Sequence, residues 1–279
     1  MKITVYITSY NQKDLLIAAI ESVLSQTLQA FEIIIVDDCS TDSSQDLIKD
    51  YASRYPGLVK PIFHNANLGI VNVRRAALDA VTGDYVTYLD GDDIFLPKKL
   101  EIESLLICDG KYDIAFSNNY YFTKEIENIQ SIWAYNREEL PEPGNMYVET
   151  FARKFPRTAL FRMELVNYKF FKEVGFHDQN LKIYEDDEMR LRLSKKAKIN
   201  FTMLPLSMVR MNTDGLSKSP REVHLESLRY VFAKHKHELS GLPSSEAKMI
   251  RDMYFRFMNR KNLKRKDIAK YFIKRLLGR

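Results

Sequence analysis

The first 120 residues predict an α/β fold on a mostly parallel sheet, and three observations carry that expectation. Short runs rich in Ile, Val, Phe and Tyr alternate with amphipathic stretches. The alternation has the spacing of βαβ units, which put helices on both faces of a sheet. Each polar cluster in this half falls just after an apolar run, where such sheets bind ligands at the carboxyl ends of their strands.

Taken in order, residues 3–7 read as the first strand, followed by Thr8-Ser9-Tyr10-Asn11 and a helix near 12–26. A strand at 31–36 leads into Asp37-Asp38, and the cap signals Ser40-Thr41-Asp42-Ser43 open a helix near 43–55. A third strand at 59–63 precedes Asn65-Ala66-Asn67-Leu68-Gly69 and a helix over 70–81 that carries Arg74 and Arg75. The strand at 85–89 runs into Asp90-Gly91-Asp92-Asp93; Pro97 suits the first turn of a helix at 97–108, and 114–117 is again a strand. From 119 to 160 the pattern loosens, with aromatics among turn signals such as Pro141-Glu142-Pro143-Gly144. Residues 161–197 read as helical with a break at Gly175, and 221–240 and 244–277 as helical again. Gly215, Ser217, Ser219 and Pro220 mark a boundary.

Bulk properties narrow the classes. The 279 residues are 45% hydrophobic and 28% charged, the composition of a soluble globular protein with a sizeable core. No apolar run approaches the roughly 18–20 residues that span a bilayer, and the N-terminus reads as a strand rather than a signal peptide. Cys39 and Cys108 fit no metal-ligand spacing and suggest a reducing cytosol. The five histidines are scattered; His235 and His237 fall on different sides of a helix. Residues 260–279 hold nine Lys/Arg and one acid, a net +8 against +5 for the whole chain, so the other 259 residues carry −3. The body is therefore no nucleic-acid binder on charge grounds.

Several constellations carry chemistry. Three carboxylates in Asp90-Gly91-Asp92-Asp93 cannot be buried unpaired, because desolvating them costs several kcal/mol each. Asp-x-Asp around a glycine suits a hard divalent metal; an acidic turn capping the helix at Pro97 is the plain alternative. Asp37 and Asp38 either accept hydrogen bonds from a base or ribose, or cap the next helix. Arg74 stands about one turn into a helix whose N-terminus attracts phosphate. The cluster Tyr184-Glu185-Asp186-Asp187-Glu188 suits a helix N-terminus, or it supplies the general base that complements a metal site. Trp133 and Tyr135 either stack on a ligand or pack against the sheet. The tail from Lys266 to Leu277 is amphipathic and basic, and either lies on an anionic membrane surface or docks on the body.

Together, Thr8-Ser9-Tyr10-Asn11, the run from Val36 to Asp42, Asn67-x-Gly69 with Arg74, Gly83-Asp84-Tyr85-Val86 into Asp90-Gly91-Asp92-Asp93, then Pro97 and Leu100 resemble the family 2 glycosyltransferases of GT-A fold. The run Glu185-Asp186-x-Glu188-Met189-x-Leu191-Arg192-Leu193 resembles that family's Glu-Asp motif. The resemblance covers roughly residues 1–217. It implies a single GT-A, Rossmann-like domain over 1–217: a nucleotide-sugar-binding half at 1–118 and an acceptor-binding and catalytic-base half at 119–217. Residues 218–279 form a helical, basic C-terminal extension. The implied reaction is inverting, metal-dependent transfer of a sugar from a nucleotide-diphosphate donor, with UDP the family's commonest nucleotide, to a hydroxyl of a glycan or lipid-linked glycan, as in cell-surface polysaccharide synthesis.

Residue by residue, the resemblance implies that Asp37 and Asp38 hold the nucleotide base, Asp38 being the preferred contact. Arg74 lies near base and diphosphate, and Thr8, Tyr10, Asn67 and Gly91 fall at donor-binding positions. Asp90 and Asp92 match the Asp-x-Asp that meets the ribose and a Mn²⁺ or Mg²⁺ ion, with Asp92 the direct ligand. Asp186 matches the catalytic base, with Glu185 in support, and Trp133 falls on the acceptor side. One departure stands out: Asn212 occupies the place of a family histidine, so Arg210 is the candidate for its phosphate work. The implied partners are a nucleotide-sugar and a glycan or polyprenyl-linked glycan, with peripheral membrane contact through 260–279, cytoplasmic placement at the inner face, and no nucleic acid. Two competing readings are a sugar nucleotidyltransferase, which needs a glycine-rich phosphate loop that Ser9-Tyr10-Asn11-Gln12 does not offer, and a non-catalytic nucleotide-sugar-binding or membrane-associated assembly partner.

Overall fold

The structure, a computed structural model, describes residues 1–123, 125–211 and 218–259. The sheet begins with four parallel strands, β1 (Ile3–Ser9), β2 (Glu32–Asp37), β3 (Val59–Phe63) and β4 (Tyr85–Asp90). Every residue of β1 and β2 is buried, as central strands covered on both faces require. Strand β3 carries Pro61 and two exposed residues, which suits its place at the sheet's edge. Between the strands run α1 (Lys13–Leu24), α2 (Ser44–Arg54) and α3 (Ile70–Asp79). Helix α1 buries Leu16, Ala19, Ile20 and Val23 on one stripe.

Further strands are β5 (Ile94–Phe95), β6 (Ile114–Thr123), β7 (Glu125–Ile132), β8 (Leu165–Asn167) and β9 (Ile199–Arg210). The sheet order is β3-β2-β1-β4-β8-β6-β9-β5, with β7 paired to β6. Strand β8 is antiparallel to both β4 and β6, whereas β6 and β9 run parallel, so two parallel blocks meet through one short antiparallel strand. This is the α/β architecture expected, with more antiparallel pairing towards the chain's second half.

The register places the site. Ser9 lies beside Asp37 and Thr8 beside Asp90, so the carboxyl ends of β1, β2 and β4 meet in one row. Gly91, just past β4, packs against β1: a Cβ there would stand 2.6 Å from the Thr8 main-chain oxygen.

The second half corrects the sequence reading. Of residues 161–197, only α6 (Lys169–Val174) and α7 (Glu185–Lys196) are helical. Residues 165–167 are instead strand β8, three residues being too few to show a period. Gly175 ends α6 as expected, with φ at +80°. The long strand β9 was not foreseen. Its register with β6 slips around Pro205, which cannot donate to the ladder and sits where the pairing is irregular. Two short helices remain, α4 (Lys99–Leu105) before β6 and α5 (Tyr147–Phe151) after β7.

The chain divides into two compact units, the first Met1–Ser219 and the second beginning at Pro220. Within the second, α8 (Arg221–His235) and α9 (Ser244–Asn259) pack together, with Phe232 and Tyr254 ring centroids 4.9 Å apart. No helix among the described residues is long and apolar enough to cross a membrane. The basic tail at 260–279 and Asn212 lie outside the described residues.

Candidate active site

At the end of β2 the two aspartates divide the work. Asp37 is fully buried and accepts four hydrogen bonds, from Ser9 Oγ (3.0 Å), Ser40 N (2.9 Å), Ser40 Oγ (2.5 Å) and Gln45 Nε2 (3.0 Å). A carboxylate has about four acceptor positions, so Asp37 is saturated by Ser9 of β1, Ser40 of its own loop and Gln45 of α2. Asp38 meets three partners, His64 Nδ1 (2.7 Å), Leu68 N (2.9 Å) and Gly69 N (2.8 Å), and ties down the loop before α3. It keeps one position of the four. Gly69, with φ at +82°, turns that loop into α3. Asn67 and Tyr10 are exposed.

Arg74 lies inside the protein, only 5% exposed. Its Nη2 donates to Asp90 Oδ1 at 3.1 Å, its Nε stands 3.5 Å from Glu185 Oε1, and its guanidinium carbon lies 4.5 Å from the Tyr88 ring centre. The Glu185 contact is an ion pair without hydrogen-bond geometry; Nε and Nη1 find no acceptor among the described residues. Arg74 therefore brings together the acid turn after β4 and the acid cluster that opens α7. Thr8 Oγ1 adds a 3.1 Å bond to Asp90.

The turn itself is not a helix cap. Asp93 is buried, and its Oδ1 accepts from Arg210 N at 2.7 Å, which fastens the end of β9 rather than α4. Burial and the charges of Asp92 and Asp90 push its pKa well above the ordinary range, against the pull of Arg162. Asp92 is half-buried, and its main-chain oxygen accepts from Arg210 Nε at 3.1 Å. The Arg210 guanidinium also stacks 4.4 Å over Phe122.

In α7, Asp186 Oδ2 accepts from Arg190 Nη1 at 2.7 Å and Oδ1 from Asp187 N at 2.8 Å. Burial would raise its pKa, but Arg190, Arg74 and Arg162 together hold it far below the usual carboxylate range. Glu185, beside it and 5% exposed, behaves in the opposite way: burial and the Asp186 charge push its pKa up to about 7, despite Arg74. Glu188 is spent on Arg192 (3.0 Å), which in turn bonds the carbonyls of Val174, Gly175 and Phe176 and so secures the turn after α6.

Trp133, expected on the acceptor side, is core. It is 1% exposed, donates from Nε1 to Ala159 O (3.1 Å), and packs against Phe116 and Phe155. Tyr135, named beside it, is 62% exposed.

Sequence reasoning missed Tyr88, Arg162, Glu164, His177 and Arg190. Arg162 faces Tyr88, Asp93, Asp90 and Asp186, whose charges outweigh the cost of its burial and raise its pKa. His177 is 3% exposed with Nδ1 unpartnered among the described residues; burial and Arg74 keep it neutral. A signal existed only for Arg190, four residues after Asp186 and so on the same helix face.

No three acidic or histidine side chains among the described residues form a closed metal cage. A magnesium-type ion needs only one or two carboxylates besides a substrate's phosphates. Asp90 and Asp92 fit that role.

A family model described as Glycosyl transferase family 2 matches residues 4–171. An uncharacterized glycosyltransferase of Nostoc sp. is 46% identical over 101 residues, 36% of this chain and 31% of that protein. The uncharacterized glycosyltransferase YibD of Escherichia coli is 36% identical over 132 residues, 47% of this chain and 38% of its own. The chain thus spans about a third of the length of these curated relatives. Among solved structures, S. aureus TarS 1-349 in complex with UDP-GlcNAc superposes with a TM-score of 0.72 at 18% identity, covering 92% of this chain and 72% of that one. The mannosyltransferase PcManGT from Pyrobaculum calidifontis in complex with GDP-Man and Mn²⁺ gives 0.65 at 15% identity, covering 92% and 69%.

Proposed function

Because the chain belongs to glycosyl transferase family 2, we propose that it transfers a sugar from a nucleotide-diphosphate donor, a UDP-sugar foremost, to a hydroxyl of a glycan or polyprenyl-linked glycan. The observation that carries this reading is Arg74, which joins Asp90 of the first acid cluster to Glu185 of the second and so makes one site from two halves. Asp38, with one acceptor position left, takes the N–H of the base in preference to saturated Asp37. Thr8, Tyr10, Asn67 and Gly91 border the donor. Arg74 holds Asp90 in place beside the diphosphate, and Arg210 stands beside Asp92.

A Mn²⁺ or Mg²⁺ ion held by Asp92 and Asp90 would neutralise charge on the departing diphosphate. Asp186, ionised throughout the physiological range, accepts the acceptor hydroxyl's proton while that oxygen attacks the anomeric carbon from the face opposite the leaving group. One displacement inverts the centre and needs no covalent nucleophile. A second reading gives the base role to Glu185, favoured by a pKa of about 7 near the working pH. Against it stand its deeper burial and its pairing with Arg74. The expected cellular setting is the inner face of a membrane, reached through the basic tail at 260–279, as in polysaccharide assembly.

The test is thermal-shift screening with UDP-glucose, UDP-N-acetylglucosamine and GDP-mannose, with and without Mn²⁺, followed by nucleotide release with Asp186→Asn and Glu185→Gln. A donor at about 100 times its Kd stabilises by roughly 2.7 kcal/mol. Asp186→Asn should bind donor and lose transfer. If no nucleotide-sugar shifts the melting midpoint and Asp92→Ala changes nothing, the proposal fails; if Glu185→Gln alone abolishes transfer, the second reading takes its place.

A further inference from the structure

Beneath the proposed site lies a set of buried contacts that the transfer chemistry above does not use. Arg190 is 2% exposed, and its guanidinium is engaged on every side. Nε donates to Glu164 Oε1 at 2.9 Å and Nη2 to Glu164 Oε2 at 3.2 Å, a two-point clamp in the plane of the group. Nη2 also donates to the Tyr88 hydroxyl at 2.7 Å, and Nη1 to Asp186 Oδ2 at 2.7 Å. The far end of the clamp is itself pinned. Glu164 follows Met163, whose carbonyl accepts from Thr87 Oγ1 (2.9 Å) and from the buried Lys99 Nζ (2.7 Å). Tyr88 carries Arg74 over its ring at 4.5 Å, so one residue of β4 touches both buried guanidiniums.

A guanidinium buried so deeply is costly unless each N–H is satisfied, and here three of its four bonds serve to hold it still for the fourth. We propose that Arg190, clamped by Glu164 and Tyr88, is a positioning residue that fixes the rotamer of Asp186 and aims the carboxylate at the acceptor hydroxyl. This rests on Asp186 being the base. The rigidity matters because a carboxylate on the first turn of a helix otherwise samples several rotamers, and misplacing a reacting group by about 1 Å can cost about 100-fold in rate. The same contact also keeps the carboxylate ionised. The groups that face Asp186 are Arg190 and Asp187 from α7, Glu185 and Tyr184 at its start, Arg74 from α3, Arg162 from the stretch before β8, and neutral His177 from the loop before α7. Arg190 is the foremost of these in holding the carboxyl down.

The test compares Arg190→Gln, Arg190→Lys and Glu164→Gln with Asp186→Asn, in two measurements. In the metal-free protein, carbon-13 titration of the carboxyl groups should find Asp186 far below the ordinary range in the parent and in Arg190→Lys, and shifted clearly upward in Arg190→Gln, where Arg74 and Arg162 alone still hold it down. In donor turnover followed by nucleotide release, with UDP-glucose and UDP-N-acetylglucosamine as probes and Mn²⁺ present, Arg190→Gln should lose roughly 100-fold in kcat with little change in donor KM. Arg190→Lys keeps the charge but not the fork, so it should lose kcat while retaining the parent's acid limb. Should Arg190→Gln fail to fold, Glu164→Gln decides the matter: it preserves shape, turns one acceptor of the clamp into a donor, and should lower kcat about tenfold at unchanged donor KM. Unchanged kcat in the folded variants, or an Asp186 titration indifferent to Arg190→Gln, overturns the proposal. If Asp186→Asn itself still transfers, it is the base assignment that has failed, and the Arg190 proposal with it.

Discussion

Replacing Glu185 by glutamine should make the protein more stable, and only above acidic pH. Glu185 is 5% exposed; burial and the neighbouring Asp186 charge raise its pKa from 4.5 to about 7 in the folded chain. The fold therefore holds the proton more tightly than the unfolded chain does. Below pH 4.5 both states are protonated and ionisation costs nothing. As pH rises from 4.5 to about 7 the unfolded state releases its proton first, and stability is lost progressively until both states are ionised. At about 1.4 kcal/mol per pH unit, the full cost above pH 7 is about 3 kcal/mol. Glutamine has the same shape and no charge, so Glu185→Gln should match the parent at pH 4.5 and exceed it by up to about 3 kcal/mol at pH 8. With roughly 2–4 °C per kcal/mol, that is a rise of about 6–12 °C in melting midpoint. The assay is thermal melting of both proteins in EDTA at pH 4.5, 6 and 8. A variant less stable at pH 8, or one offset equally at every pH, would refute the reasoning.

Gly91→Ala should lower the melting midpoint by several degrees, since its Cβ would meet the Thr8 main-chain oxygen at 2.6 Å and Gln12 Oε1 at 3.1 Å, an overpacking worth about 1–3 kcal/mol; a midpoint within a degree of the parent would contradict it. Trp133→Phe should cost about 1–3 kcal/mol, through lost volume and a stranded Ala159 carbonyl, while leaving turnover of any accepted substrate unaltered once the midpoint is allowed for. An altered acceptor KM in a protein of undiminished stability would return Trp133 to the acceptor site.

Strands β1, β2 and β4 were legible because each is a nearly unbroken apolar run ending in polar residues, the pattern of a strand buried on both faces. Their ends predicted where the acids would gather, and the parallel register delivers it. Strand β9 was not legible: Asn200 and Thr202 break its apolar character, and Pro205 argues against an interior strand unless the pairing slips, as it does. Strand β8 is too short to carry a period. In the site, the acidic motifs were visible and their counter-cations were not. Arg162 acts through neighbours distant in sequence, and although Arg190 stands one turn from Asp186, its clamp on Glu164 and Tyr88 has no local spacing to announce it. Trp133, an aromatic among turn signals, left ligand stacking and packing against the sheet both open, and its burial decides for packing.

The bond between Asp93 and Arg210 spans 117 residues, and β5 likewise finds its partner only in β9, through Ile94 opposite Met208 and Phe95 opposite Ser207. On a ribosome, then, the first four strands can pair while the acid turn beside them still lacks the segment that fixes it. The stretch matched by the family model ends at residue 171, before that segment begins. A fragment cut there would retain β1 to β4 but lack β9, and would leave Asp93 without its anchor. During synthesis, the acid turn should take its final form late, with the emergence of one strand, rather than settling in step with chain length.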